Sequence, residues 1–214
     1  MGEKKLKTVY IYTGGETYAD LLTAPPSGAY AIAADSGYDL AVRCGVLPQL
    51  MVGDMDSIEA REIPDSVETV KVKAEKDETD TMLAVDLALS MGAEKIFIFG
   101  GLGGRADHGL SNMYLLEYIH GRGADGCISD GRNIVRYLRD GSITVPCSGY
   151  KYFSLISLDA TAEGVTVTGG KYPLENAVLK RERQYAVSNE FLQETGAATV
   201  SVKKGALLVI TSRF

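Results

Sequence analysis

At 214 residues, with 45% hydrophobic content and a formal net charge of −6, the chain has material for one large core or two modest ones and lacks the basic footprint that nucleic-acid binding needs. No apolar run approaches bilayer-spanning length, and Met1-Gly2-Glu3-Lys4-Lys5-Leu6-Lys7 leads into a strand pattern, so a cytoplasmic protein without membrane contact is expected. Cys44, Cys127 and Cys147 show no C-x-x-C spacing, and two histidines cannot build a three-histidine metal centre, which excludes a disulfide framework and the common zinc sites.

Apolar runs at 8–12, 30–34, 49–52, 67–72 and 95–99 predict strands, several too continuously apolar to leave one face wet, as in buried parallel sheets. Helical spacing occupies 37–44, 79–91 and 107–119, with Met82, Val85 and Leu89 along one side of the second. Strands alternating with helices imply right-handed crossovers and an N-terminal three-layer α/β/α domain with a mostly parallel sheet over 1–124. Beyond that the pattern shortens to strands at 134–138, 142–145, 152–158, 164–168, 198–202 and 207–211, with turns at Asp140-Gly141 and Lys204-Gly205. A C-terminal antiparallel β-sandwich over 125–214 is therefore expected, with the boundary in the glycine-rich stretch at 121–131.

Three acidic clusters stand where strand-like runs end: Gly53-Asp54-Met55-Asp56-Ser57, Lys76-Asp77-Glu78-Thr79-Asp80 and Gly104-Arg105-Ala106-Asp107-His108. In an open α/β sheet the carboxyl ends of the strands share one crevice, so clusters distant in sequence can converge. Hard carboxylate oxygens gathered there suit Mg²⁺, which turns a pocket that repels phosphate into one that holds it. Each cluster alone is explained as readily by helix capping, because Asp, Ser and Thr accept bonds from free backbone N–H groups. Capping needs one side chain per helix, however, whereas Asp54 and Asp56 form a D-x-D pair and Asp77 and Asp80 crowd one helix start. The sequence has neither G-x-x-x-x-G-K-[ST] nor G-x-G-x-x-G, so the turn at Gly100-Gly101-Leu102-Gly103-Gly104 is the candidate phosphate cradle, with Arg105 as a guanidinium fork.

Ala34-Asp35-Ser36-Gly37 and the three acidic clusters, in that order and spacing, resemble the thiamine pyrophosphokinase family. The resemblance continues through Gly170-Lys171-Tyr172-Pro173-Leu174, Val187-Ser188-Asn189-Glu190-Phe191 and Gly205-Ala206-Leu207-Leu208-Val209. It implies transfer of the pyrophosphoryl group of ATP to the hydroxyethyl oxygen of thiamine, giving thiamine diphosphate and AMP. It also implies a homodimer with thiamine where two subunits meet, a catalytic domain over 1–124 and a thiamine-binding domain over 125–214. Carried over by position, Asp54, Asp56 and Asp80 hold Mg²⁺, and Asp77 and Lys76 sit beside the transferred group. Asp35, Ser36, Lys76, Thr79, Arg105, Asp107 and His108 shape the ATP pocket. Asp80 is the candidate for orienting the hydroxyl, and Tyr172, Ser188 and Asn189 face thiamine. This chain departs from the family pattern in having Met55 between the metal aspartates, Gly170 where leucine is common, Ala186 where glycine is common, and no tryptophan. Two alternatives stand beside this reading: a pyrophosphokinase for another hydroxymethyl substrate such as a pterin, and a nucleotide or thiamine sensor without turnover.

Overall fold

Strands that are apolar at nearly every position need cover on both faces, and the first part of the chain supplies it. In the computed structural model, which describes residues 7–54, 63–72 and 77–213, the strands are β1 (Thr8–Tyr12), β2 (Tyr30–Ala34), β3 (Leu50–Gly53), β4 (Glu68–Lys71), β5 (Lys95–Phe99) and β6 (Asp125–Ser129). They pair in parallel in the order β6-β5-β1-β2-β3-β4. Helix α1 (Gly37–Arg43) covers one face, where Leu40 and Ala41 pack on Tyr12, Ala31 and Phe99, and Tyr38 packs on Ala33 and Met51. On the other face α2 (Asp80–Ser90) crosses β1, β2 and β3, while α3 (Ala106–Gly121) lies over β6. Tyr118 of α3 donates its hydroxyl to Asp86 of α2 at 2.7 Å, tying these two helices together. The three layers expected from the alternating pattern are present.

The order of the strands decides where a ligand can bind. The chain steps outward from β1 through β2 and β3 to β4, and α2 then carries it back to β5 on the opposite side of β1. Connections therefore leave β1 and β5 in opposite directions, and a crevice opens above their carboxyl ends.

The chain divides into two compact units, 1–131 and 132–214, seven residues beyond the boundary expected from the sequence. The reason is β6, which pairs with β5 along its whole length and closes the parallel sheet. Its short, glycine-containing segment Asp-Gly-Cys-Ile-Ser carries a weak strand signal, and Gly126 sits close under α3, where a Cβ would lie 3.0 Å from methyls of both Leu116 and Ile119.

The second unit is a sandwich of two antiparallel sheets. One has the order β12 (Asn189–Glu190), β9 (Tyr152–Ser157), β14 (Ala206–Ser212), β7 (Asn133–Arg139), and the other β11 (Leu174–Lys180), β10 (Thr161–Thr168), β13 (Ala197–Ser201), β8 (Ser142–Pro146). Phe153, Leu155, Leu207 and Val209 from the first sheet meet Val145, Val165, Val167 and Val200 from the second in one core. The turns at Asp140-Gly141 and Lys204-Gly205 each carry the chain from one sheet to the other, and Asp140 accepts the Gly205 N–H at 2.7 Å, which locks the two corners together. Strand β11 escapes the sequence pattern because its pairing with β10 is twice irregular and Asn176 sits at φ +47°, so buried and exposed positions do not alternate.

Candidate active site

A cleft of about 570 Å³ opens at the carboxyl ends of β1, β2 and β5, in the crevice that the strand order creates. Two glycine turns form part of its wall, Thr13-Gly14-Gly15 after β1 and Gly100 to Gly104 after β5. They run backbone against backbone. Thr13 donates its N–H to Phe99 O at 2.9 Å, Gly101 donates to Gly14 O at 3.1 Å, and a Cβ on Gly100 would stand 2.4 Å from Thr13 O. Buried Asn112 of α3 donates Nδ2 to Gly101 O at 3.0 Å and fixes the second turn from beneath. Thr13 and Thr81, both buried, share a hydroxyl hydrogen bond of 2.8 Å that joins the end of β1 to the start of α2. Backbone bonds use the Thr13, Gly100 and Gly101 N–H groups, so the backbone at Gly14, Gly15, Gly103 and Gly104 is what faces a phosphate that enters the cleft.

Carboxylates supply the rest of the wall. Asp35, Asp77, Glu78 and Asp80 line the cleft, against Arg105 and His108 as its basic groups. Asp35 follows β2 with φ +47°, its N–H bonded to Val52 O at 2.8 Å, and its Oδ1 is buried without a hydrogen-bond partner. A buried carboxylate oxygen left unpartnered costs free energy, and this one stands at the rim of a polar cleft where a ligand could supply the missing bond. Gly53 packs against Asp35, since a Cβ there would lie 3.1 Å from Asp35 Cα and Cβ, so the end of β3 and half-buried Asp54 stand beside it. Asp54 is not among the residues lining the cleft. Asp56 and Lys76 lie outside the described residues, and among the described residues no group of three His, Cys, Asp or Glu side chains is placed to hold a metal.

Capping accounts for Thr79 and not for its neighbours. Thr79 is the N-cap of α2 and accepts the Met82 N–H at 3.2 Å, whereas Ser36 at the start of α1 makes no side-chain cap, and neither does Arg105 at the start of α3. Ser36 instead turns its Oγ toward Gly14, to 2.4 Å from where a Cβ on that glycine would be, while Arg105 forms a forked pair with Asp107: Nε to Oδ1 at 3.2 Å and Nη2 to Oδ2 at 2.7 Å. Asp107 also accepts the His108 N–H at 3.0 Å. The Arg105 bond, followed by this backbone bond, holds the Asp107 carboxyl below its ordinary range, at about 2. A depressed carboxylate keeps its charge as pH falls until its own pKa is reached, so the fork persists throughout the neutral range. It leaves the Nη1 donors of Arg105 uncommitted to Asp107.

Of the residues expected to meet a second ligand, Tyr172 and Asn189 line an apolar cleft of about 280 Å³ in the second unit, with Phe153, Leu174, Tyr185 and Val187. Ser188, at φ +59° and exposed, donates its N–H to Ser154 Oγ at 3.0 Å.

The structure thus brings Asp35, Ser36, Asp77, Thr79, Asp80, Arg105 and His108 together in one cleft, with Asp107 held against Arg105. Sequence reasoning missed Thr13, Gly14, Gly15, Glu78, Thr81 and Asn112, which also line it. The Gly14-Gly15 pair directly after a strand was available as a signal by the rule applied to Gly100 to Gly104. Asn112 gave none, because one polar residue on a helix does not announce which loop it will reach.

Comparison with known proteins matches the same two units. The thiamin pyrophosphokinase catalytic-domain model matches residues 26–125, and the vitamin B1 binding-domain model of that family matches 142–207. The thiamine pyrophosphokinase of Bacillus subtilis (strain 168) is 34% identical over 97% of this chain and 99% of its own length. The crystal structure of a thiamine pyrophosphokinase from Bacillus subtilis superposes with TM-score 0.86 at 29% identity, covering 97% of this chain and 100% of that one. The enzyme from Geobacillus thermodenitrificans gives 0.84 at 30%, covering 96% and 97%.

Proposed function

The chain belongs to the thiamin pyrophosphokinase family, and we propose from that premise that it transfers the pyrophosphoryl group of ATP to the hydroxyl of thiamine. The observation that carries this reading is the cleft at the β1 and β5 carboxyl ends, where two glycine turns and four carboxylates meet, the second turn and all four carboxylates inside the span matched by the family's catalytic domain. A pterin kinase or a silent sensor has no comparable support, because the second unit matches a vitamin B1 binding domain and the chain is colinear with a pyrophosphokinase over nearly its full length.

In this reading the thiamine hydroxyl oxygen attacks the β-phosphorus of ATP in line. One P–O bond forms, the bond from the β-phosphorus to the oxygen bridging to the α-phosphate breaks, and AMP leaves with that oxygen. The protein contributes position and charge, as is general for phosphoryl transfer. Backbone N–H groups of the turns at 14–15 and 103–104 cradle phosphate, Arg105 presents its free edge from the Asp107 fork, and Asp35, Ser36, Thr79 and His108 shape the pocket around the nucleotide. Asp80, at the start of α2, orients the hydroxyl or accepts its proton, with Asp77 lining the same cleft and Lys76 assigned to the transferred group by its place in the motif. Carboxylate oxygens are the hard donors that Mg²⁺ takes, and Asp54, Asp56 and Asp80, of which Asp80 lines the cleft, would hold it. Bound there, the ion offsets the repulsion between these carboxylates and the triphosphate.

Tyr172, Ser188 and Asn189 belong to the thiamine site, which is completed in a homodimer. The protein works in the cytoplasm, where the thiols of Cys44, Cys127 and Cys147 stay reduced. Incubation of the purified chain with ATP, Mg²⁺ and thiamine should yield AMP and thiamine diphosphate in equal amounts. AMP formed with a hydroxymethyl pterin and not with thiamine, or thiamine binding without AMP, would reject the assignment.

A further inference from the structure

The apolar cleft of the second unit is rimmed by two half-exposed tyrosines, Tyr172 at 55% and Tyr185 at 53% exposure, in a chain with no tryptophan. Such large rings are left open to water only at some cost, and here both stand on one concave surface.

Tyr172 is held by a carboxamide, and Tyr185 follows one that is bonded to β9. Asn189 accepts the Tyr172 N–H at 3.0 Å and returns Nδ2 to Tyr172 O at 2.7 Å, and its Oδ1 also takes the Glu190 N–H at 2.9 Å. Three of its possible bonds are thus made to backbone, and the side chain is 8% exposed. On the other side Gln184 accepts the Ser157 N–H and donates to Ser157 O, both at 3.3 Å, which anchors the residue next to Tyr185, and the Tyr185 hydroxyl donates to Val178 O at 3.2 Å. Gly170 belongs to the same arrangement. A Cβ there would stand 2.7 Å from Phe153 Cζ and 2.9 Å from Asn189 Nδ2, so the position at which the family commonly has leucine has no room for a side chain here. Lys171 Nζ lies 5.5 Å from the Tyr172 ring centroid, tethered to Glu190 at 2.9 Å, so the ring already sits within range of a cation.

We propose that Tyr172 and Tyr185 are paired aromatic walls for a heteroaromatic cation, and that Asn189 is a positioning residue that fixes Tyr172 and does not itself touch the ligand. This rests on the family reading, which makes that cation thiamine with its charged thiazolium ring. Two tyrosine faces suit a flat cation because ring faces are electron-rich and the surrounding cleft is apolar. An amide already bonded on both sides to Tyr172 has little left to offer a ligand.

The test is calorimetric binding of thiamine, with steady-state constants for thiamine and ATP, on the full chain. Tyr172→Leu and Tyr185→Leu should each weaken thiamine binding about tenfold and leave the KM for ATP unchanged, as expected for loss of one desolvated cation–ring contact. Tyr172→Phe should restore most of the affinity. Asn189→Ala should weaken thiamine to a similar degree, and the Asn189→Ala, Tyr172→Leu double variant should be no weaker than the worse single one. Wild-type affinity in both leucine variants would overturn the walls, and a double variant equal to the product of the single effects would overturn the positioning role. Asn189→Asp, which keeps the acceptor and loses the donor, serves as the milder variant should the alanine form not fold. A wild-type chain that binds no thiamine would instead defeat the family reading, whereas one that binds thiamine irrespective of both tyrosines defeats only this inference.

Discussion

Asp35 combines two costs in one residue: a left-handed backbone at φ +47° and a buried carboxylate oxygen with no partner. Strain and desolvation at one position are retained where binding uses them, because stability alone would select against both. Asp35→Asn keeps the shape, tolerates the left-handed backbone and removes the buried charge. Its melting temperature should equal or exceed that of the wild type while ATP affinity falls, as read by thermal melts with and without nucleotide. Asp80→Asn tests the other end of the cleft. Because Asp80 opens α2 and is proposed to act on the hydroxyl, its replacement should lower kcat by about 10²- to 10⁴-fold, the usual range for a lost proton-transfer group, with the melting midpoint little changed. Near-normal turnover in that variant would remove Asp80 from the chemistry.

At the scale of elements, the two glycine turns leave little room for a side chain where they touch each other and α3. Gly101 has φ +76°, and a Cβ there would come 2.7 Å from Asn112 Nδ2, the group that holds the turn. Gly101→Ala should therefore cost about 1–3 kcal/mol of stability through strain and a disturbed buried hydrogen bond, and should raise the KM for ATP more than that for thiamine. Denaturant unfolding and steady-state kinetics check the two halves of that statement. An alanine variant with unchanged stability and ATP binding would show that the turn tolerates a side chain and is no phosphate cradle. Helix α2 matters for a related reason. It starts at the cleft with Thr79 and Asp80 and then crosses β1, β2 and β3, so the same element that delivers a carboxylate also covers the sheet.

For the whole molecule, an acidic chain that handles a triphosphate needs charge compensation from outside, since the formal net charge is −6. Chelation of divalent cations should abolish the thermal stabilisation that ATP confers, and addition of Mg²⁺ should restore it; ATP stabilisation that survives chelation would exclude the carboxylate-bound ion. If thiamine is held where two subunits meet, dilution below the dimer dissociation constant should cost thiamine affinity and spare ATP affinity, whereas equal thiamine affinity in the monomer would place the site within one subunit. Much of this was legible in the chain. The period of the apolar runs set the α/β part and the β part, since burial on two faces and burial on one face leave different patterns, and two of the acidic clusters contribute Asp77, Asp80, Arg105 and His108 to the cleft, whereas Asp54 at the end of β3 is not among its lining residues. What only the tertiary structure decided depends on contacts between residues far apart in sequence. Weak local signals for β6 and β11 were overridden by pairing, buried Asn112 bonded the Gly101 carbonyl from α3, and Asn189 spent its amide on Tyr172. A side chain's type restricts which bonds it can make, but which of them it does make is fixed by the neighbours that folding brings to it.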